Sequence, residues 1–164
     1  MAGPERTLPE IYLAPGELVL AREPTILATI LGSCIGVTFW CARLGVGGLC
    51  HSILPTCPRP ADGKVSLDLG HRYVDFCIRS LASQFELLGA VRSEIQVKVF
   101  GGADVNFVDC SDGRPTVGRQ NSEAAIQGLA DEGYAIAAAS VGSRFGRKIR
   151  FNTGNGEVQL VWLI

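Results

Sequence analysis

The sequence predicts a layered α+β domain with a mixed, largely antiparallel sheet and two main helices. Many short runs of apolar and β-branched residues lie between turns, and 20 of the 164 residues are glycine. Only two segments repeat apolar residues with a helical period. Tight turns, rather than a regular alternation of strands and helices, join many neighbouring runs, and this pattern is typical of hairpins.

The predicted strands cover residues 11–13, 17–20, 25–31, 35–41, 46–54, 95–100, 134–141, 147–152 and 157–164. A turn at residues 43–45 separates two of them, so strands 35–41 and 46–54 are expected to pair as a hairpin. The basic cluster of Arg144, Arg147, Lys148 and Arg150 is expected on the solvated face of a strand, where it could also meet an acidic partner.

The two helices are predicted from apolar residues at spacings of three and four. The apolar face of the first comprises Val74, Cys77, Ile78, Leu81, Phe85 and Leu88, and Gly89 ends it. The second helix is predicted to begin at Asn121, a favourable N-cap residue, and to end at Glu132 before Gly133.

The length and charge of the chain fit a single domain over residues 1–164. A net charge of −1 gives no general attraction to nucleic acid or to an anionic membrane. The first residues lack the apolar core of a secretory signal, so we expect a cytoplasmic protein. Residues 24–42 are uncharged, but Gly32 and Gly36 interrupt them, and we interpret them as two buried strands rather than a membrane span.

Six cysteines occur, at positions 34, 41, 50, 57, 77 and 110. No pair has the CxxC spacing and the chain has only two histidines, so the sequence predicts no metal site. Without a secretory signal, free thiols are expected rather than disulfides. Most of them then act as small buried hydrophobic side chains.

Cys34 is the cysteine best placed for chemistry. It follows Gly32 and Ser33 in a turn between two apolar strands, where small neighbours admit a substrate carbonyl and backbone amides can stabilise an oxyanion. A nucleophilic thiol also needs a base. His51 lies near the end of the other strand of the predicted hairpin, so the two side chains are expected to meet at one end of the sheet. His71 has no comparable placement.

The same pattern also suits a buried structural thiol and a histidine satisfied within its strand. Cys50 is a rival nucleophile, but adjacent strand residues point to opposite faces, which disfavours a direct pair with His51. Thr29 or Ser33 could orient the imidazole by accepting its distal N–H. Thr29 equally suits an ordinary β-branched strand residue.

Several segments together resemble the CheD family of chemoreceptor glutamine deamidases. They are Thr29–Cys34, Gly47-Gly48, His51–Pro55, Lys98–Ala103, Val117–Asn121 and Gly142–Gly156. They occur in the family's order over about residues 11–162, and the joint match is specific although each piece alone is not.

This resemblance implies a Cys–His–Thr catalytic set of Cys34, His51 and Thr29. From the residues themselves, we expect the turn with Gly32 and Ser33 to hold the oxyanion. It implies an α/β sandwich shared with cytotoxic necrotizing factor toxins, and no cofactor. Further residues in the matching segments are expected to contact the substrate or a partner: Phe100, Gly101, Gly102 and Asn121.

The implied activity is hydrolysis of glutamine side chains of methyl-accepting chemotaxis receptors to glutamate through a thioester, with glutamyl methyl esters as further substrates. The alternative is a binding module that regulates a CheC-type phosphatase with little need for catalysis. A cysteine peptidase would use the same pair of residues, but the resemblance does not point to one.

Overall fold

The computed structural model describes residues 6–59, 63–105 and 113–164. Its strands are β1 (Glu10–Tyr12), β2 (Leu18–Ala21), β3 (Ile26–Leu31), β4 (Ile35–Cys41), β5 (Val46–Ser52), β6 (Ile95–Gly101), β7 (Ile136–Val141), β8 (Gly146–Asn152) and β9 (Val158–Leu163). Its α-helices are α1 (Leu67–Gly70), α2 (Val74–Leu87) and α3 (Val117–Asp131), and a short 3₁₀ helix covers Arg92–Glu94.

The strands form two sheets. One has the order β1-β3-β8-β9, and the other has the order β2-β5-β4-β6-β7. Each sheet contains one parallel pair, β1 with β3 and β6 with β7, and the remaining pairs are antiparallel. The predicted α+β class is therefore confirmed, with the strands divided between two packed sheets.

Two apolar clusters show the order of the layers. The first joins the five-stranded sheet to the helices and includes Val37, Val97, Ile78, Leu81 and Leu129. The second joins the two sheets and includes Leu49, Phe100, Leu31, Ile149 and Phe151. Helices, five-stranded sheet and four-stranded sheet therefore form three layers. Because β4 is covered on both faces, its sequence is mainly apolar rather than alternating, and even Thr38 is buried.

The predicted hairpin is confirmed, since β4 pairs antiparallel with β5 and Gly36 lies opposite His51. Side chains of β5 alternate between the two clusters, as strand geometry requires. Cys50 packs among the residues beneath the helices. His51 points to the opposite face, where it meets Thr29 of the other sheet.

Helix α2 agrees with the prediction, whereas the predicted start of α3 is wrong. Helix α3 begins at Val117, and the hydroxyl of Thr116 accepts the N–H of Arg119 as its N-cap. Asn121, the predicted cap, lies inside the helix and is fully buried. None of the helices within residues 6–59, 63–105 and 113–164 is long and apolar enough to cross a membrane.

The expectation of a solvated face is wrong for Arg147, which is fully buried. Residues 147, 149 and 151 share one face of β8, so Arg147 points inwards with Ile149 and Phe151. Its guanidinium donates to the carbonyl and hydroxyl oxygens of Ser140 and to the carbonyl of Gly142. Hydrogen bonds to carbonyl oxygens compensate for the burial of the guanidinium charge, so Arg147 can be buried although the neighbouring basic residues suggested an exposed strand.

Candidate active site

The turn that carries Cys34 is the crossing between the two sheets. Strand β3 belongs to the four-stranded sheet and β4 to the five-stranded sheet, and Gly32, Ser33 and Cys34 connect them. Cys34 is half-buried. Two backbone hydrogen bonds hold the turn, from Gly102 N to the Cys34 carbonyl (2.8 Å) and from Ala103 N to the Gly32 carbonyl (2.9 Å).

The close approach of this turn to the end of β6 depends on two glycines. Gly101 and Gly102 have φ values of 107° and 66°, which side chains rarely adopt. A Cβ at Gly101 would overlap the carbonyl oxygen of Cys34, and one at Gly102 would overlap the hydroxyl of Ser122. Both glycines are buried and serve backbone packing beneath Cys34, and their predicted contact with a substrate or partner stays a prediction.

The register of the hairpin brings His51 towards Cys34. The ladder between β4 and β5 pairs Ile35 with Ser52 and Gly36 with His51. Cys34 precedes Gly36 by two residues, so His51 is its diagonal neighbour across the hairpin. Diagonal strand neighbours lie about 7 Å apart, within reach of an imidazole and a thiol. Gly36 presents no side chain between them.

Thr29 fixes the tautomer of His51. The hydroxyl oxygen of Thr29 lies 2.7 Å from His51 Nδ1 and donates its only proton to the Leu13 carbonyl at 2.8 Å. It must therefore accept a proton from Nδ1. This leaves His51 Nε2 unprotonated and basic, the arrangement that a third residue provides in hydrolytic triads. The contact between Thr29 and His51 expected from the sequence is present.

Burial favours the neutral forms of both reactive groups. Burial lowers the pKa of His51, although the Leu13 carbonyl and Glu17 act in the opposite direction. Burial also raises the pKa of the Cys34 thiol. Both shifts favour the uncharged forms, a neutral imidazole and a protonated thiol.

An open cleft of about 380 Å³ lies beside the turn. Ser33 contributes to it from the turn, and the first turn of α3 contributes from the other side. Its lining is Ser33, Ile53, Leu54, Ala103, Asp104, Val105, Pro115, Thr116, Val117 and Gly118. Most of these side chains are apolar, and Asp104 is the single charged one among them. Such a site can admit a peptide segment and direct one side chain towards Cys34.

Two further residues expected to contact a substrate or partner are buried instead. Phe100 is 5% exposed and packs in the cluster between the sheets, which gives it a role in the core, and its contact with a substrate or partner stays a prediction. Asn121 is 0% exposed, and its Nδ2 donates to the carbonyls of Ser33 and Ile53. Nothing in the residue types alone distinguished these buried positions from surface ones.

The other thiols and the second histidine lie away from the turn. Cys41, Cys50, Cys57 and Cys77 are free and buried, while Cys110 lies outside the described residues. His71 ends α1, and its ring packs against Phe76 with 5.9 Å between ring centroids. The described part of the chain holds no group of three or more metal-binding side chains.

A family model described as CheD chemotactic sensory transduction matches residues 54–161. A relative from Geobacter sulfurreducens, named probable chemoreceptor glutamine deamidase CheD 2, is 42% identical over 93% of this chain and 89% of its own length. A relative of the same name without the number, from Pseudomonas fluorescens, is 37% identical over 91% of this chain and 82% of its own length. The family model does not cover Thr29, Cys34 or His51, because it begins at residue 54. The match to the Geobacter relative covers 93% of the chain and therefore includes residues 29–51.

A solved structure also shares the fold. The crystal structure of the hypothetical protein YfiH from Bacillus licheniformis aligns with a TM-score of 0.50 at 13% identity. The alignment covers 75% of this chain, and this chain spans about half of the YfiH chain, 49% of its length. At that identity the likeness concerns the fold alone.

Proposed function

The chain belongs to the CheD chemotactic sensory transduction family, and on that premise we propose that it is a protein-glutamine glutaminase. Its substrates are glutamine side chains of chemoreceptors, which it converts to glutamate. The observation that carries the proposal is the hydrogen bond of 2.7 Å between Thr29 and His51, which holds a basic Nε2 at the sheet end where Cys34 turns.

The first half of the reaction forms a thioester. His51 Nε2 takes the proton of the Cys34 thiol while the sulfur attacks the side-chain amide carbon of glutamine. Backbone amides of the Gly32–Cys34 turn stabilise the negative oxygen of the tetrahedral intermediate. The imidazolium then protonates the departing nitrogen, the carbon–nitrogen bond breaks, and ammonia leaves.

The second half regenerates the enzyme. Neutral His51 removes a proton from water, which attacks the thioester carbonyl. The carbon–sulfur bond breaks, and the imidazolium returns its proton to the Cys34 sulfur. The product is a glutamate side chain, and no cofactor takes part. A glutamyl methyl ester would enter the same scheme with methanol as the leaving group.

The substrate assignment is supported by the names of the relatives, which are probable chemoreceptor glutamine deamidases. We extend it with a cytoplasmic location, a single deamidase domain over residues 1–164, and a CheC-type phosphatase as a second partner. The apolar cleft beside Ser33 is the surface on which a receptor segment would place its glutamine.

Deamidation of a chemoreceptor cytoplasmic fragment tests the proposal directly. Each converted glutamine gains about one dalton, which peptide mass spectrometry locates. Cys34→Ala should abolish conversion. Cys50→Ala removes a buried thiol from the opposite face of the sheet, and it should leave the conversion rate unchanged. Full activity in Cys34→Ala would exclude Cys34 as the nucleophile. If Cys34→Ala also supports signalling fully, the binding-module alternative is favoured.

A further inference from the structure

Asn121 is a fully buried polar residue that bridges two separate segments of the active site. Both hydrogen bonds of its amide nitrogen are made to backbone carbonyls, one on Ser33 and one on Ile53, each at 2.9 Å. Both protons of a carboxamide NH₂ are thereby used. Ser33 immediately precedes the proposed nucleophile, and Ile53 follows the proposed base by two residues.

The bridge lies where the backbone ladder stops. The last pair joining β4 and β5 is Ile35 with Ser52, and Ile53 N turns away to the Arg72 carbonyl. Ser33 and Ile53 therefore have no ladder pairing to keep them side by side. The carboxamide of Asn121 supplies this connection from a third element, helix α3.

Helix α3 reaches this position because its first turn presses against the segment after β6. A Cβ at Gly118 would overlap the carbonyl oxygen of Ala103 and approach that of Gly102. Ala103 N and Gly102 N in turn hold the carbonyls of Gly32 and Cys34. Helix, glycine segment and Cys34 turn thus form one packed unit that fixes the position of Asn121.

We propose that Asn121 is a positioning residue that holds the Cys34 turn and the strand of His51 at the separation needed for proton transfer. The inference rests on the proposed function. Loss of the bridge lets the two segments move apart, and a misplacement of about 1 Å at reacting groups can cost on the order of a hundredfold in rate. Substrate affinity, set by the cleft, should change little.

One competing role follows from the other end of the same side chain. Asn121 Oδ1 is buried and has no hydrogen-bond partner among the described residues. An unpaired buried carbonyl is costly, and this atom could instead accept an N–H from the substrate amide. The bridging and accepting roles use opposite ends of the carboxamide, so substitutions can separate them.

The test compares three variants in the full chain. Asn121→Ala removes both ends of the carboxamide, and Asn121→Asp keeps an acceptor while removing both donors. Ser122→Ala is the matched control, because Ser122 is also buried in α3, its hydroxyl donates to Gly118 of its own helix, and the smaller alanine still fits beside Gly102. The measurements are thermal stability, kcat and KM for receptor deamidation, and the rate of Cys34 alkylation by iodoacetamide.

Positioning predicts a kcat at least about tenfold lower for both Asn121 variants, with KM within about threefold of wild type and Ser122→Ala unaffected. Equal kcat for Asn121→Ala and Ser122→Ala at matched stability would overturn the proposal. Activity kept by Asn121→Asp but lost by Asn121→Ala would also overturn it, in favour of the accepting role.

A double-mutant cycle on the rate of Cys34 alkylation gives a second test. It needs no substrate, and it can be measured on variants that have lost deamidase activity. His51→Gln should slow alkylation of Cys34 in the wild-type background and have little further effect, within about twofold, when combined with Asn121→Ala. An undiminished effect of His51→Gln in the combined variant would contradict positioning. Failure of Cys34→Ala to abolish deamidation would instead count against the proposed function.

Discussion

Two thiol-bearing regions lie on opposite faces of the five-stranded sheet, and they differ in the two properties that nucleophilic chemistry needs. On the face towards the helices, Cys50 and Cys77 are 0% exposed. There the hydroxyl of Ser52 lies 3.8 Å from Cys50 Sγ, and Cys77 Sγ donates to the His71 carbonyl at 3.2 Å. No imidazole nitrogen is directed at either sulfur by a hydrogen bond among the described residues.

On the face between the sheets, His51 has a fixed tautomer, and the neighbouring Cys34 turn borders an open cleft. Burial raises the pKa of Cys34, and the neighbouring Cys50 together with burial raises that of Cys77 well above its ordinary value. Burial therefore favours the protonated forms of Cys34 and Cys77, whereas the hydrogen bond with Cys77 lowers the pKa of Cys50. A lowered thiol pKa thus occurs on the closed face, and what distinguishes the Cys34 region is access and an oriented base.

The largest expected effect comes from the base. His51→Asn should lower kcat by about a thousandfold, because proton transfer by a positioned base contributes on that scale. In the wild-type protein, kcat/KM should fall tenfold per pH unit below the pKa of His51, which burial places under its ordinary value of 6.5. The neutral imidazole is the active form, so the loss occurs on the acid side.

His71→Asn is the control for His51, since His71 ends a short helix outside the cleft. Its deamidation rate should equal that of the wild type. A similar loss in both variants, measured on the receptor fragment, would show that the two faces do not differ as inferred.

The support beneath the Cys34 turn should be the next most sensitive feature. Gly101→Ala places a Cβ against the Cys34 carbonyl in a backbone with φ of 107°. We expect a loss of about 3 kcal/mol or more in the free energy of unfolding. Gly89→Ala has a similar φ of 88° with open space around it, so it should cost only about 1 kcal/mol of backbone strain. Equal losses in urea unfolding would mean that the contact with Cys34 does not matter.

Orientation of the imidazole should have a smaller effect than its removal. Thr29→Val removes the acceptor of the Nδ1 proton while keeping the shape of the side chain, and it should lower kcat by roughly ten- to a hundredfold. Thr29→Ser retains the hydroxyl and should keep most of the activity. Steady-state kinetics in which valine and serine behave alike would remove Thr29 from the catalytic set.

The smallest effect on activity is expected on the helix-covered face. Cys50→Ala and Cys77→Ala should each cost about 1–2 kcal/mol of stability through lost packing, with deamidation within about twofold of wild type. Differential alkylation of the folded protein should label Cys34 and spare Cys50 and Cys77. Equal labelling of all three thiols in peptide mass spectra would contradict the contrast between the faces.

The pair of Cys34 and His51 could be predicted from the sequence because it depends on local features. A Gly-Ser-Cys turn between apolar strands and a short turn at residues 43–45 define a hairpin, and alternation along β5 separates Cys50 from His51. Thr29 was one of two candidates for the third position. The family resemblance favoured Thr29 over Ser33, and the structure brings Thr29 to His51 because β3 lies across from β5 in the other sheet.

Other residues could not be placed by such reasoning. Asn121 has the residue type of a helix cap, but Thr116 is the cap and Asn121 lies buried. Phe100 matches a family segment yet belongs to the core between the sheets. Arg147 lies at a position of β8 whose side chains alternate towards the core, but its charge led to a prediction of exposure. In each case a contact distant in sequence decided the environment.

The sequence by itself determined the α+β class, the hairpin of β4 and β5, helix α2, and the candidate thiol and base, because turn residues and apolar periodicity act over a few positions. Only the tertiary structure decided that the strands form two sheets, that Thr29 reaches His51, and that Asn121 joins Ser33 to Ile53. These contacts join residues 22 to 88 positions apart in the chain. They follow from how the layers pack, which no local pattern specifies.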